Sequence, residues 1–118
     1  MVAALRPLGL THVQFVLLAS AWWLTRVAGE KPTQRRLAEH ASTDPMMTSQ
    51  VVRVLESRGL LTRAADPHDS RALLLAVTEP GARMAQAAVR VVEAADSDFF
   101  AAAGEREPLL RLLRRLAG

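Results

Sequence analysis

The side chains best suited to chemistry in this sequence lie on one face of a predicted helix that begins at Asp44. Four of them in "DPMMTSQVVRVLESRG" project to the same side because they are three or four residues apart: Met46, Ser49, Gln50 and Arg53. A glutamine can pair with adenine, an arginine with guanine or a phosphate, a serine with either, and a methionine can touch a thymine methyl. This set therefore offers base recognition in a DNA major groove; alternatively, it only keeps an exposed helix face solvated.

A second polar stretch, "DPHDSR", ends in one arginine and separates two apolar runs that are predicted strands. The segment 65–71 is longer than a tight hairpin needs, so we expect its tip to protrude. At its end Arg71 can enter a minor groove, where narrow A·T stretches concentrate negative potential. Asp69 can hold the guanidinium in an extended rotamer, and His68 can contact a phosphate. The alternative for Asp69 and Arg71 is an ordinary surface ion pair, worth about 0–1 kcal/mol.

Metal, thiol and catalytic chemistry find no support in the sequence. It contains no cysteine, which excludes disulfides, thiol catalysis and zinc–thiolate sites within the chain. The three histidines, His12, His40 and His68, are far apart, so no metal and no cofactor is predicted. A nucleophile–base pair, a glycine-rich phosphate loop or converging carboxylates cannot be placed either, so the sequence predicts a protein that is not an enzyme.

The charge balance is compatible with a nucleic-acid partner but does not require one. The formal net charge is +3, and fourteen of the fifteen basic residues are arginine. The planar guanidinium suits phosphates and guanine edges better than the lysine ammonium does. A net charge of +3 is too small to establish the partner on its own.

One mostly apolar run, over 13–24, has the composition of a membrane segment. It is too short to cross a hydrocarbon core of about 30 Å, and Gln14 and Ser20 interrupt it. His12 and Gln14 also fit the apolar region of a secretory signal poorly. We therefore expect no membrane association and a cytoplasmic protein.

The remaining patterns predict the elements that position these side chains. A capping box at Thr11 opens a long helix that Gly29 closes. Side-chain caps at Thr33 and Asp44 open two shorter helices, and Gly59 ends the second of them. The other predicted elements are strands over 60–64 and 72–77, a long helix from Thr78 to about Ala103, and a last helix in "EPLLRLLRRLA".

The order helix, helix, helix, strand, strand, helix, helix in 118 residues predicts a single domain that is mainly α with a small β-hairpin wing. Two short helices joined by a tight turn and followed by a hairpin form a winged helix-turn-helix. We expect this DNA-binding core over 33–78. The helices within 1–30 and 79–118 are expected to supply the hydrophobic core and a dimerisation region.

In combination, these residues resemble the multiple-antibiotic-resistance regulator (MarR) family of transcription regulators over nearly the whole chain. The matching motifs are "LESRGL" at the end of the second short helix, "DSR" in the wing and "TEPG" at the start of the long helix, where Val77 replaces a leucine. The resemblance implies a homodimer that binds double-stranded DNA at a pseudo-palindromic operator and usually represses transcription until a small-molecule effector binds. The alternative is a protein–protein interaction module with the same fold that binds no DNA, against which the wing arginine argues.

The resemblance also implies three groups of functional residues. The predicted DNA-binding residues are Thr33, Asp44, Met46, Met47, Thr48, Ser49, Gln50, Arg53, Arg63, His68, Asp69 and Arg71. The predicted ligand-binding residues are His12, Phe15, Ala19, Trp22 and Trp23, although apolar side chains on a helix more often only pack in a core. The predicted dimerisation residues are Ala88, Val92, Ala95, Phe99, Leu109, Leu112, Leu113 and Leu116. This last group is expected to carry the dimer because only about ten residues precede Thr11, where family members usually have a full N-terminal helix.

Overall fold

The computed structural model describes residues 5–103, which form four α-helices and one antiparallel hairpin. A single 3-10 turn, Arg6–Leu8, precedes α1 (His12–Trp22), which continues into a π-helical turn (Trp23–Val27). The other elements are α2 (Gln34–Ala41), α3 (Pro45–Ser57), β1 (Leu61–Asp66), β2 (Asp69–Val77) and α4 (Glu79–Ala103). Each helix of this part of the chain is too short or too polar to span a bilayer. The helix predicted in "EPLLRLLRRLA" lies outside the described residues.

The predicted helix starts are confirmed in atomic detail. Thr11 Oγ1 accepts the amide of Gln14 at 3.2 Å, and the Thr11 amide donates to Gln14 Oε1 at 3.1 Å, which completes the capping box. Thr33 Oγ1 and Asp44 Oδ2 accept the amide three residues further on, at 3.0 and 2.9 Å. Each bond satisfies an amide that has no partner inside its own helix, so α1, α2 and α3 begin at defined residues.

The end of α1 differs from the regular helix that its sequence predicts. Its continuation, Trp23–Val27, widens into a π-helical turn with backbone bonds between residues i and i+5. The Thr25 hydroxyl donates to the Ala21 carbonyl at 2.8 Å, and a bond of this kind competes with the backbone ladder and bends a helix. Gly29, with a φ of 72°, follows this turn in the left-handed conformation that glycine adopts readily.

The core is centred on α1, which contacts α2, α3, α4 and β2. The buried side chains of α1 and its continuation are Phe15, Leu17, Leu18, Ala19, Ser20, Ala21 and Leu24. They meet the predicted inward face of α3, where Thr48, Val51, Val52 and Leu55 are buried as expected. The two helices of the helix-turn-helix are therefore fixed against α1 by apolar packing, which holds their other faces toward solvent.

The hairpin is longer and tighter than the sequence predicts. The strands pair Ala65 with Leu73 and then, across an irregularity in the register, Asp66 with Asp69, so the predicted loop over 65–71 is replaced by extended strands and a shorter turn. Only the two residues between this pair form the turn, where the amide of His68 donates to Asp66 Oδ1 at 2.8 Å. This local bond lets turn-forming residues reverse the chain in two positions. Arg71 consequently lies on strand β2 and not in a loop.

Candidate nucleic-acid interface

The outward face of α3 presents the side chains that the sequence predicts for base recognition. Met46 is 71% exposed, Gln50 and Arg53 are exposed on the same side, and Ser49 is half-buried. The opposite side of α3 is held in the core, so this face has a fixed orientation. It offers an apolar group, an amide and a guanidinium along two helical turns, a set that matches the donors, acceptors and methyl groups of a major groove.

The wing presents Arg71 to solvent with its backbone held by Asp69. Asp69 Oδ1 accepts the amide of Arg71 at 3.0 Å and lies 3.9 Å from its Nε atom. The Arg71 side chain is nevertheless 94% exposed, so Asp69 holds the backbone of Arg71 and leaves its guanidinium open to solvent. The weak ion pair leaves a guanidinium that can move onto another anion at little energetic expense.

The start of α2 lies between the wing and the start of α3. The Leu75 amide of β2 donates to the Pro32 carbonyl at 2.9 Å, and Thr33 forms an isolated bridge with Leu74, so backbone bonds fasten this point of the chain to the wing. A cleft of about 610 Å³ between the two elements is lined by Thr33, Gln34, Arg35, Asp69, Arg71, Ala72 and Leu73. A second cleft, of about 290 Å³, continues from there to α3 and is lined by Gln34, Arg35, Ala38 and Pro45.

Gln34 and Arg35 are shared by both clefts, and neither was among the residues predicted from the sequence. The Arg35 side chain is 89% exposed and makes an i,i+4 ion pair with Glu39 at 3.3 Å. Gln34 Oε1 is buried and has no hydrogen-bond partner among the described residues. The signal for both was their position in the first turn of a capped helix, where exposed amides and basic side chains attract anions.

This geometry agrees with the comparison to known proteins. The sequence profile of the MarR family matches residues 10–73, which is more than half of the chain. The chain belongs to the MarR family. The uncharacterized HTH-type transcriptional regulator YdcH of Bacillus subtilis is 45% identical over 113 residues, covering 96% of this chain and 76% of YdcH. The HTH-type transcriptional repressor Rv2887 of Mycobacterium tuberculosis is 36% identical over 118 aligned residues, covering 97% of this chain and 80% of the repressor.

Solved structures confirm the winged helix-turn-helix fold of this MarR-family chain. The transcriptional regulator MOSR of Mycobacterium tuberculosis in complex with DNA superposes with a TM-score of 0.73 at 26% identity, over 98% of this chain and 80% of MOSR. CouR from Rhodococcus jostii bound to p-coumaroyl-CoA gives a TM-score of 0.71 at 31% identity, over 96% of this chain and 75% of CouR. Together with the regulators named above, these relatives show that this chain is a DNA-binding transcription regulator.

Thr48 is a correction to the predicted DNA-binding residues of the MarR-family core. Its side chain is fully buried, and its hydroxyl donates to the Asp44 carbonyl at 2.9 Å. A buried hydroxyl inside the first turn of α3 cannot reach DNA, so its role is structural. The signal was present in the sequence, because Thr48 shares the spacing of the inward residues Val51, Val52 and Leu55.

The remaining predicted DNA-binding residues divide between exposed and internally engaged side chains. Met47 is 44% exposed, and His68 is exposed at the tip of the wing. Arg63 is only 22% exposed and donates to Glu56 Oε1 through Nε and Nη2, at 3.1 and 2.9 Å. These two bonds to one carboxylate oxygen tie β1 to α3, so the structure gives this guanidinium a structural partner within the chain.

Two of the predicted ligand-binding residues belong to the core. Phe15 and Ala19 are buried among the side chains of the main cluster, as expected for apolar residues on an inward helix face. His12 is exposed at the start of α1, and Trp22 and Trp23 are half-buried. The Trp23 ring stacks on the His40 imidazole with centroids 5.8 Å apart and planes inclined by 8°. The residues of this set that keep accessible surface therefore lie toward the two ends of α1.

The predicted dimerisation stripe also needs correction. Ala88 and Val92 are fully buried in the core of this one chain, and Ala95 is half-buried. Their spacing correctly indicated an apolar face, and α4 packs Ala88 and Val92 of this face against α1, so these two side chains are not available to a second copy. The side chain of Phe99 and the leucines at 109, 112, 113 and 116 lie outside the described part of the structure.

The segment that joins α1 to α2 is held by an ion pair between Glu30 and Arg36. Arg36 donates to both carboxylate oxygens of Glu30, at 3.2 and 3.3 Å. This hydrogen bonding, assisted by the positive charge of Arg36, lowers the pKa of Glu30 below its usual value. The same bond raises the pKa of Arg36, so the pair stays charged throughout the neutral range.

Proposed function

We propose that this chain is a homodimeric repressor that binds a pseudo-palindromic operator and leaves it when a small-molecule effector binds. The observation that carries the DNA-binding geometry is the continuous exposed surface from α3, across the first turn of α2, to Arg71 on the wing. The relative Rv2887 is a transcriptional repressor, which supports repression and not activation of transcription. In this proposal the whole chain acts as one domain in the cytoplasm, and no catalytic step is involved.

On this surface, each element has a distinct task. The face of α3 enters a major groove, where Gln50 and Arg53 meet base edges and Met46 meets a thymine methyl. The sugar–phosphate strand then crosses the first turn of α2, where Arg35 supplies a positive charge. Arg71 enters the flanking minor groove, and a narrow A·T stretch strengthens its binding.

The dimer follows from the two-fold symmetry that such regulators share with their operators. Two copies of α3 in successive major grooves place half-sites about 34–36 Å apart. Ala88 and Val92 are buried inside one protomer and cannot contact a second one. We therefore place the dimer contact on other residues of the N- and C-terminal regions.

The effector site is proposed near the ends of α1. The CouR structure holds p-coumaroyl-CoA, which supports a small-molecule response in a relative of this fold. Trp22 and Trp23 are half-buried and offer aromatic surface, whereas Phe15 and Ala19 are committed to the core. A ligand that displaces an aromatic side chain here acts on α1, the element against which the helix-turn-helix packs.

Arg71→Ala tests the wing contact that distinguishes this surface from a protein-binding one. A fluorescein-labelled duplex recovered by in vitro selection and a scrambled duplex are titrated by fluorescence anisotropy across a salt series. We expect the variant to lose about 1–3 kcal/mol of binding free energy per protomer and to lower the salt dependence of affinity. The matched control is Arg83→Ala, which removes an exposed arginine from α4 at equal cost in net charge.

Two outcomes would count against the proposal. Equal affinity of the Arg71→Ala protein and the unaltered protein removes the minor-groove role of the wing. Failure of the unaltered protein to enrich any duplex removes the DNA-binding function and favours the interaction module.

A further inference from the structure

Two of the four methionines of this chain lie on the surface that we propose meets DNA. The sequence contains no cysteine and four methionines. Met46 and Met47 stand together in the first turn of α3 and are 71% and 44% exposed, whereas Met84 is partly buried against the core. The most accessible thioether of the described residues is thus also the side chain at the leading edge of the recognition helix.

We infer that Met46 is a site of oxidative modification, and that its sulfoxide releases the protein from DNA. The inference rests on the proposed DNA-binding function. It assigns to the chain a response to a two-electron oxidant such as hypochlorous acid, carried by a thioether and not by a thiol. The exposed side chain is accessible in the free protein and is covered when α3 occupies a major groove.

The chemistry balances with the oxidant alone. The Met46 sulfur donates an electron pair to hypochlorous acid and gains its oxygen, the chlorine is reduced to chloride, and one proton is released. The product is a methionine sulfoxide, which is polar, chiral and a strong hydrogen-bond acceptor. The reaction is reversed by methionine sulfoxide reductases, so the modification can act as a switch.

The position of Met46 makes the added oxygen costly in the complex. In the proposed complex its thioether lies against a thymine methyl, which offers no hydrogen-bond donor. A sulfoxide there loses its hydration without a replacement partner. We expect the oxidised protein to bind roughly 5- to 100-fold more weakly, the range that one unsatisfied polar group produces.

The reactivity of the three described methionines gives the first test. The purified protein is treated with substoichiometric hypochlorous acid and digested, and sulfoxide is located by mass spectrometry. We expect oxidation in the order Met46, Met47, Met84, following their exposure, and slower oxidation of Met46 when the selected duplex is bound. Preferential oxidation of Met84, or no protection of Met46 by DNA, overturns the inference.

The binding test compares each protein with its own untreated form, so differences in starting affinity do not matter. The unaltered protein, Met46→Leu and the matched control Met47→Leu are titrated on the selected duplex before and after treatment. We expect treatment to weaken the unaltered protein and Met47→Leu, but to leave Met46→Leu at its starting affinity. Reductase treatment is expected to restore the first two, which separates sulfoxide formation from irreversible damage to tryptophan.

The outcomes separate this inference from the function on which it rests. Unchanged affinity of a protein that carries sulfoxide at Met46 refutes the switch and leaves the DNA-binding function standing. An equal loss of affinity in treated Met46→Leu also refutes it, because the damage then lies elsewhere. Absence of any selected duplex for the untreated protein refutes both.

Discussion

Gly81 tests how the long helix α4 is seated on the end of the recognition helix. A Cβ atom added at this position would overlap the carbonyl oxygen of Leu60 and lie 2.8 Å from its carbonyl carbon. Non-bonded carbon atoms repel one another below about 3.5 Å, so Gly81→Ala must push α4 and Leu60 apart by about 0.7 Å or more. The Cγ1 atom of Val77 would also lie only 3.0 Å away. The nearest obstacle is the backbone of Leu60, so a change of rotamer cannot relieve it.

Three hydrogen bonds hold α4 close to Leu60 and are weakened if the two move apart. The backbone amide of Thr78 donates to the Leu60 carbonyl at 3.2 Å, and the Thr78 hydroxyl donates to the Gly59 carbonyl at 2.6 Å. The Gly81 amide donates to Thr78 Oγ1 at 3.0 Å. Overpacking costs about 1–3 kcal/mol and a weakened hydrogen bond about 1 kcal/mol more, so we expect a total loss of about 2–4 kcal/mol.

Thermal and urea unfolding followed by circular dichroism measure this loss. At about 4 °C per kcal/mol, the melting temperature of Gly81→Ala should fall by roughly 8–16 °C. The matched control is Gly29→Ala, whose added carbon meets nothing within 4 Å and whose φ of 72° costs only about 1–2 kcal/mol. Glycine-to-alanine changes inside helices ordinarily stabilise by up to about 1 kcal/mol. A melting temperature of Gly81→Ala equal to or above that of the unaltered protein therefore refutes the contact.

Two further predictions concern the buried Thr48 hydroxyl and the partly exposed ion pair of Glu30 with Arg36. Thr48→Val removes the hydroxyl that donates to the Asp44 carbonyl while keeping the shape, so we expect a loss of about 0.5–1.5 kcal/mol in the free energy of unfolding and the same selected DNA sequence; an altered base preference would return Thr48 to the interface. The pKa of Glu30 is lowered by its bond to Arg36, so the pair stabilises the protein above the carboxyl's unfolded pKa, and this contribution is lost as pH falls through the lower folded pKa. The stability difference between the unaltered protein and Glu30→Gln, measured by urea unfolding, should therefore shrink from pH 7 to about pH 3, and a constant difference would contradict the assignment.

The helix starts could be predicted because neighbouring residues decide them. A hydroxyl or carboxylate followed three residues later by an unpartnered amide needs no distant contact, and Thr11, Thr33 and Asp44 all make the expected bond. The same holds for the inward face of α3, where spacing alone identifies the buried residues.

Features that depend on distant parts of the chain were predicted less well. The spacing of Ala88 and Val92 shows that one face of α4 is apolar, but it does not say whether that face meets α1 or a second copy. The length of the wing depends on cross-strand pairing around Asp66 and Asp69, which a count of turn-forming residues does not reveal. The sequence did not predict Arg35 as a DNA-binding residue, because it comes to lie beside the wing only when the chain folds.

The arginine-rich composition has a structural as well as a recognition component. Arg58 donates to the carbonyls of Gly9 and Leu8, at 2.9 and 3.2 Å, and so ties the end of α3 to the N-terminal turn. Arg26 bonds both the Val77 carbonyl, at 2.7 Å, and Glu79, at 3.1 Å, across the junction of β2 with α4.

Each of these guanidiniums holds two acceptors at once in a fixed plane, which a lysine ammonium does less well. Some of the arginines thus connect elements of the fold, whereas the side chains of Arg35, Arg53 and Arg71 are exposed to solvent. The net charge of +3 averages over both groups. It therefore does not describe how the arginine charges are distributed, and it is the guanidiniums exposed on α3, α2 and the wing that can meet a phosphate backbone.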